Sequence, residues 1–292
     1  MTIVTMVRTH TKAGRLRARS VASSANATIK VYRRALAEGV TANGWLAIEG
    51  FRLLEEALKN VENSSPPSCR CSSPRIHSVM VAKGAAEKAF PLLAHLPGEA
   101  EVVEVPDRLF ASLSQTQSPQ GIAALVELPS RSLDTLLSLP GALLVVACGM
   151  QDPGNLGTIL RSAEAMGASG VLALKSTVCL FNPKVVRSSG GAIFRLPVLP
   201  GLQAEALLAQ LHRAEFRVIA ADQRGAIILH EADLRGRIAF LIGQESAGLP
   251  ECLRSAATSI VRIPIRLGVN SLNAAAAAAI CLYEAARQRG IP

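Results

Sequence analysis

The sequence predicts an α/β protein organised as two domains, and three observations support this. Hydrophobic residues make up 49% of the 292 positions and aromatic ones only 3%, so the cores must be assembled from Ala, Val, Leu and Ile. Parallel strands buried on both faces read as such aliphatic runs. Short apolar runs also alternate with segments of helical period along most of the chain, the pattern of layered α/β domains. Finally, the chain is long enough for two modest cores, and Pro129 to Leu139 separates two alternating halves.

Taken in order, residues 1–25 read as a basic arm that need not be ordered. A helix is expected over Ala27 to Gly39, with Ile29, Val31, Tyr32, Ala35 and Leu36 near helical spacing and Gly39 as its C-cap. Trp45 to Ile48 reads as a strand. The helix after it reaches about Lys59, with Phe51, Leu54, Ala57 and Leu58 on one face. Residues 63–75 are a loop by their Ser and Pro content. Strands at Ile76–Ala82, Ala100–Val105 and Gly121–Glu127, with helices at Ala85–Leu96 and Pro106–Leu113, complete a first domain over 26–128. Residues 129–139 read as a linker.

The second domain, 140–292, opens on the aliphatic strand Ala142–Ala147 and the helix Leu156–Met166, which turns Leu156, Ile159, Leu160, Ala163 and Met166 inward. Further strands are expected at Val171–Leu174, Arg195–Leu199, Val218–Ala221, Ile238–Ile242 and Ile260–Pro264. The helices between and after them are Pro183–Ser188, Ala204–Ala214, Pro250–Ala256 and a long final one, Ser271–Gln288. No repeat of solenoid period is visible.

The net charge of +9 is concentrated at the N-terminus. Residues 1–35 hold eight Lys or Arg and no acid, whereas the other 23 basic residues nearly balance all 22 acidic ones. Such an arm reads as a contact to a polyanion, most simply nucleic-acid phosphate. It can also be read as a solvated tail, or as a transit peptide, although a clear apolar face is missing. No stretch is apolar and long enough to span a bilayer, no signal-peptide core is visible, and the expected location is the cytoplasm, with no membrane partner. The six cysteines are scattered, and Cys69-Arg-Cys71 has no second pair to complete a zinc site, so reduced thiols are expected.

Three glycine-bearing turns lie between predicted strands and helices in the second half. The first, Asp152-Pro-Gly-Asn-Leu-Gly-Thr, follows a buried strand and opens a helix, the usual ligand position in an open α/β sheet. It lacks G-x-G-x-x-G and a P-loop, and no acid on a following strand end is placed for a ribose, which disfavours a dinucleotide site and hence a dehydrogenase. Arg161 alone would be a solvated surface charge. With Asn155 at the helix N-terminus it becomes a candidate for holding a phosphate and a ribose hydroxyl. In the second turn, Gly243 and Gly248 flank Glu245 and Ser246, so backbone can approach a ligand closely; the plain alternative is a tight turn with a capping side chain. In the third, Ile263-Pro-Ile precedes Leu267-Gly-Val-Asn-Ser-Leu-Asn273. Ser271 or Asn270 is a good N-cap, which leaves Asn273 unexplained, and Ala274 to Ala279 form a helix start thin enough to lie close to neighbouring backbone.

The order and spacing of Asn155-Leu-Gly-Thr-Ile-Leu-Arg161, Gly243-Gln-Glu-Ser-Ala-Gly-Leu249 and Ile263 to Asn273 resemble the three motifs of the SpoU (TrmH) family of RNA 2′-O-ribose methyltransferases. The resemblance spans roughly residues 140–290. It implies a SPOUT domain, a parallel sheet flanked by helices and tied in a deep trefoil knot, a rare exception to ordinary connection rules. It also implies S-adenosylmethionine as cofactor, held largely by backbone near Gly243, Ile263 and Leu272, and active-site positions at Asn155, Arg161, Glu245, Ser271 and Asn273. Many relatives carry Glu where this chain has Asn270. The first half looks like the ribosomal-protein-like α/β/α substrate-binding domain often attached to these enzymes, through Ile48-Glu-Gly-Phe-Arg-Leu-Leu-Glu-Glu-Ala57 and Ser118-Pro-Gln-Gly-Ile122.

The resemblance further implies a homodimer acting on RNA, ribosomal before transfer RNA, with no DNA partner expected. A catalytically idle RNA-binding relative is the rival reading. Methyl transfer from a sulfonium to a 2′-oxygen needs no metal, because the cofactor supplies the electrophile. Alignment of the two reactants can lower the barrier by about 7–11 kcal/mol. The family proposal makes Arg161 the base for the 2′-hydroxyl. A guanidinium is normally charged, so base and electrostatic clamp both stay open.

Overall fold

The computed structural model describes residues 17–62, 73–244 and 247–291. The loop expected over 63–75, with Cys69 and Cys71, falls almost wholly outside them, as do Glu245 and Ser246. The chain divides between Ser130 and Arg131 into two compact units.

The first unit is built on a five-stranded sheet in the order β1-β4-β3-β5-β2, where β1 is Arg17–Ser20, β2 Leu46–Glu49, β3 Arg75–Ala82, β4 Glu101–Val105 and β5 Ile122–Glu127. Strands β1, β4 and β3 run parallel, and β5 runs antiparallel to β3 and β2. Among the described residues it is accompanied by the helices α1 (Ala27–Glu38), α2 (Phe51–Glu62), α3 (Ala86–Leu93) and α4 (Asp107–Leu113). Helix α1 starts where Asn26 accepts a hydrogen bond from Thr28 N and stops at Gly39, whose φ of 94° suits a residue without Cβ. Its Ile29, Tyr32, Ala35 and Leu36 pack into the core with Met80, Val103 and Leu125.

Within residues 1–25, read from the sequence as a basic arm that need not be ordered, Arg17–Ser20 forms strand β1. Arg17–Ser20 pairs with β4, and Arg19 forms an ion pair with Glu101 and a hydrogen bond to Thr28. A parallel edge strand is specified by the partner backbone it finds, which local composition does not reveal.

The second unit has a seven-stranded, all-parallel sheet in the order β10-β12-β9-β11-β6-β7-β8. Its strands are β6 (Leu143–Ala147), β7 (Gly170–Leu174), β8 (Val198–Leu202), β9 (Arg217–Ala221), β10 (Ile227–Ile228), β11 (Ile238–Ile242) and β12 (Ser259–Arg262). Every residue of β6, β7 and β11 is buried, as their unbroken aliphatic runs require. The helices are α5 (Leu133–Leu137), α6 (Pro153–Ala165), α7 (Pro183–Ser188), α8 (Ala204–Arg213), α9 (Glu251–Ser255) and α10 (Ala274–Gln288). Adjacent placement of β12, β9 and β11 brings their C-terminal ends together, which is what positions the site.

Several sequence expectations shift. The strand expected over Arg195–Leu199 lies at Val198–Leu202, and Arg195 follows a short 3-10 turn and pairs with Glu164. The segment read as a linker contains α5, whose Leu136 and Leu137 are buried in the core of the second unit. The final helix begins at Ala274, capped by Asn273 rather than by Ser271 or Asn270.

Helices α6 and α7 meet almost backbone to backbone. A Cβ on Gly157 would lie 1.9 Å from Ser188 Oγ and 2.6 Å from the Val185 carbonyl oxygen. Gly157→Ala is therefore expected to cost about 1–3 kcal/mol through overpacking, read as a lowered midpoint in thermal or urea unfolding.

The end of α10 is tied to the segment before β11. Arg289 donates to the carbonyls of Leu234 (2.9 Å), Gly236 (2.7 Å) and Gly141 (2.5 Å), and Gln288 bridges Ala232 O and Leu234 N. Beneath this lies Glu284. Its carboxyl is held down to about 2, first by the hydrogen bond from Arg287, against burial, with further help from Gln288 and the charges of Arg287 and His230. A depressed carboxyl contributes stability that is present above its unfolded value, about 4.5, and is lost as pH falls towards 2. E284Q should thus lower the melting temperature at neutral pH, and its deficit against wild type should shrink between pH 4.5 and 2.

Candidate active site

A cleft of about 440 Å³ opens at the C-terminal ends of β9, β11 and β12. Crevices at the carboxyl ends of parallel strands are where open α/β sheets bind ligands. Its walls include Asp222 and Gln223 after β9, Gly243 after β11, Ile263 after β12, and Asn270 and Leu272 before α10. Apolar Ile242, Ile263, Ile265 and Leu272 share this space with polar side chains and main chain, the mixture expected of a small-molecule site.

Glycine makes these walls possible. Gly243 has no room for a side chain, since a Cβ there would sit 2.4 Å from the Gly248 carbonyl carbon. Gln244 N donates to Gly248 O (3.1 Å) and Gly248 N to Gln244 O (2.9 Å), closing a tight loop after β11. Glu245, the acid expected to act from this loop, lies outside the described residues.

The first motif sits where the sequence places it. Asp152 caps α6 by accepting from Gly154 N, and Asn155 occupies the first turn, half-buried. Arg161 is exposed, about 9 Å further along the helix axis. Its side chain runs along Gly190, where a Cβ would lie 3.6 Å from Arg161 Cδ. Gly190 and Gly191 both have positive φ (60° and 94°). This Gly-Gly wall was missed in the sequence, although two adjacent glycines after Ser188-Ser189 are a visible turn signal.

Asn273 joins the first and third motifs. Its Oδ1 accepts from Ala275 N (2.9 Å) and Ala276 N (3.2 Å), capping α10, and its Nδ2 donates to Asn155 Oδ1 (3.0 Å) across 118 residues of sequence. Ser271, exposed, lines the cleft beside Leu272. Gly243, Ile263, Leu272 and Ser271 therefore share one cleft, and Asn155 and Asn273 are bonded to each other. Arg161 shares a helix with Asn155 but is not among the residues that line the cleft.

Asp222, Gln223 and Arg224 are further residues that the sequence reading passed over. Asp222 shows that an acid does stand at a strand end facing the cleft, but its carboxylate accepts from Arg254 Nη1 (3.1 Å) and Arg224 N (2.9 Å). An Asp-Gln-Arg-Gly turn directly after a buried strand was the available signal.

Comparison with known proteins agrees with this geometry. Residues 142–283 match the model of the SpoU rRNA Methylase family, and residues 41–124 match an MRM3-like substrate binding domain. A 23S rRNA (uridine(2479)-2′-O)-methyltransferase of Streptomyces viridochromogenes is 34% identical over 194 residues, covering 65% of this chain and 68% of the relative. The chain belongs to the SpoU rRNA methylase family. A second member, the 23S rRNA (guanosine-2′-O-)-methyltransferase RlmB of Escherichia coli, is 29% identical over 74% of this chain and 91% of its own. Among solved structures, the SpoU methyltransferase AviRb of Streptomyces viridochromogenes in complex with AdoMet aligns with a TM-score of 0.76 at 26% identity, over 91% of this chain and 99% of that one. An AdoMet-bound rRNA methyltransferase from Sinorhizobium meliloti aligns with a TM-score of 0.75 at 26% identity, over 94% and 99%.

Within this family member, the two roles of Asn273 can be separated. Asn273→Ala removes both the cap and the bond to Asn155, whereas Asn155→Ala leaves the cap intact. Loss of a cap costs about 1 kcal/mol, so Asn273→Ala should melt clearly below Asn155→Ala by calorimetry. Equal melting temperatures would contradict the capping role.

Proposed function

We propose that this protein transfers the methyl group of S-adenosylmethionine to a ribose 2′-hydroxyl of ribosomal RNA. The observation that carries the reading is the Asn155–Asn273 hydrogen bond, which sets a polar cluster beside a cleft walled by main chain and aliphatic side chains. Family membership and the named activities of both relatives support it, and those activities favour ribosomal over transfer RNA.

The cleft suits the cofactor. It has the size of small-molecule sites, with apolar surface for a purine and hydrogen-bonding main chain where Gly243 leaves the backbone bare. Gly243, Ile263 and Leu272 are the residues we assign to holding it. Bound there, S-adenosylmethionine would supply a methyl group on a positively charged sulfur. The rest is the work of this chain. Ile242, Ile263 and Leu272 exclude water from the cleft. Asn273, rigid because its oxygen is committed to the cap, fixes the amide of Asn155 for a ribose or phosphate oxygen. Arg161 supports the 2′-oxygen as its proton leaves, by charge or by accepting that proton, and a cation placed where negative charge develops is the larger of such effects. Ser271 and Glu245 complete the proposed substrate side.

The same reading makes residues 26–128 the RNA-recognition domain and 140–292 the knotted methyltransferase domain. A knot is supported by the match of residues 142–283 to the SpoU rRNA Methylase family. A homodimer is supported by apolar side chains on the outside of α10 and its approach loop, with Tyr283 58% and Leu267 98% exposed. Among the described residues no helix is long and apolar enough to cross a membrane, and the cytoplasm is our proposed site of action.

Methyl transfer from tritiated S-adenosylmethionine to separated rRNA and tRNA, with Arg161→Ala in parallel, tests this. Label is expected in rRNA, reduced at least about 100-fold in the variant, while calorimetric cofactor affinity changes less than about twofold. Label confined to tRNA would overturn the substrate assignment, and label retained by the variant would overturn the role of Arg161. Absence of both label and cofactor binding would leave an RNA-binding scaffold.

A further inference from the structure

Between β9 and the 263–273 loop the side chain of Gln223 reaches across the cleft. Its amide nitrogen donates to the backbone carbonyl of Asn270. The two ends of this bridge differ in rigidity.

The Gln223 end is anchored. The preceding Asp222 turns its carboxylate inward, 8% exposed, onto Arg254, itself only 11% exposed. The other carboxylate oxygen accepts from Arg224 N and Arg224 Nε (2.9 and 3.2 Å). Asp222 N donates to Val261 O (3.0 Å), and Gly225 N closes the turn onto Asp222 O (3.0 Å). A Cβ on Gly225 would lie 2.6 Å from the Val261 carbonyl carbon, so the turn rests directly on β12. Displacing it would strip the partner from a largely buried charge, which is strongly unfavourable. The Asn270 end lies in a stretch, residues 266–271, that is exposed throughout, with a backbone hydrogen bond from Val269 N to Arg266 O (3.2 Å).

We infer that Gln223 is a positioning residue: from the Arg254-anchored turn it holds the 266–271 loop across the cofactor cleft and so sets where Ser271 and Leu272 sit. This rests on the cofactor reading above. Asn270 immediately precedes Ser271, proposed for the substrate side, and Leu272, proposed for the cofactor side. At the far end of the segment, Asn273 is fixed through the α10 cap and Asn155. The segment is thus held at both ends. Removing the Gln223 tether leaves only the Asn273 end and lets the cleft widen on the cofactor side.

The test compares wild type with Gln223→Ala and Gln223→Glu. The second is isosteric but presents a carboxylate that repels the Asn270 carbonyl instead of donating to it. Amide hydrogen exchange over 266–272 is measured first, in cofactor-free protein. Dissociation constants for S-adenosylmethionine are then measured by calorimetry, and single-turnover methyl transfer to rRNA at saturating cofactor. Both variants should speed exchange in that segment and raise the dissociation constant by about 3- to 10-fold, the worth of one net hydrogen bond. Single-turnover rates should fall even at saturation, with melting temperatures close to wild type. Wild-type exchange in both variants, or wild-type behaviour of Gln223→Glu alone, would overturn the inference. Wild-type protein that binds no S-adenosylmethionine would overturn it together with the cofactor reading, and that failure is distinguishable because it needs no variant.

Discussion

The side chain of Asn273 has one oxygen and one nitrogen, and the second unit depends on both. The oxygen satisfies two N–H groups at the start of α10, which otherwise have no partner in the helix. The nitrogen takes the oxygen of Asn155, in the first turn of α6. With the oxygen fixed by the helix, the amide cannot rotate, so the orientation of Asn155 is fixed with it. Neither Ala nor Asp could replace both functions: Ala has no polar atom, and Asp caps the helix but cannot donate to Asn155. Two polar side chains from segments 118 residues apart are thereby held in one geometry.

Beside that bond, the elements of the second unit approach one another closely where side chains are left out. Gly243 and Gly225 lie where any Cβ would strike backbone, and Gly157 lets α6 rest on α7. Each close approach leaves no room for a side chain, at the cleft wall for Gly243 and between packed elements for Gly225 and Gly157. Polar side chains in the same region are largely spoken for: Asp222 by Arg254 and Arg224, Ser188 by the carbonyls of α7. Ser271 and Arg161, which we propose carry the chemistry, are exposed, as a site approached by a large RNA from solvent requires.

The sheets were legible because their strands are buried on both faces and therefore spell continuous aliphatic runs. Leu143–Ala147 and Ile238–Ile242 could be read nearly to the residue. Strand β1 could not, because Arg17-Ala-Arg-Ser carries no apolar signal and owes its conformation to pairing with β4. Helix α5 escaped for a related reason: only the burial of Leu136 and Leu137 distinguishes it from a connector. The cap of α10 was misplaced by up to three residues because Asn270, Ser271 and Asn273 are all competent caps, and local propensity does not rank them.

By itself the sequence determined the α/β class, the alternation of elements and the three turns that mark the family, because these depend on short-range pattern and glycine placement. What only the tertiary structure decided is which polar residues meet. Asn155 with Asn273, Gln223 with Asn270 and Asp222 with Arg254 are contacts between segments distant in sequence, and each depends on the strand order β12-β9-β11-β6. That order is set by how the sheet buries its two faces, a property of the assembled unit that no local window of residues contains.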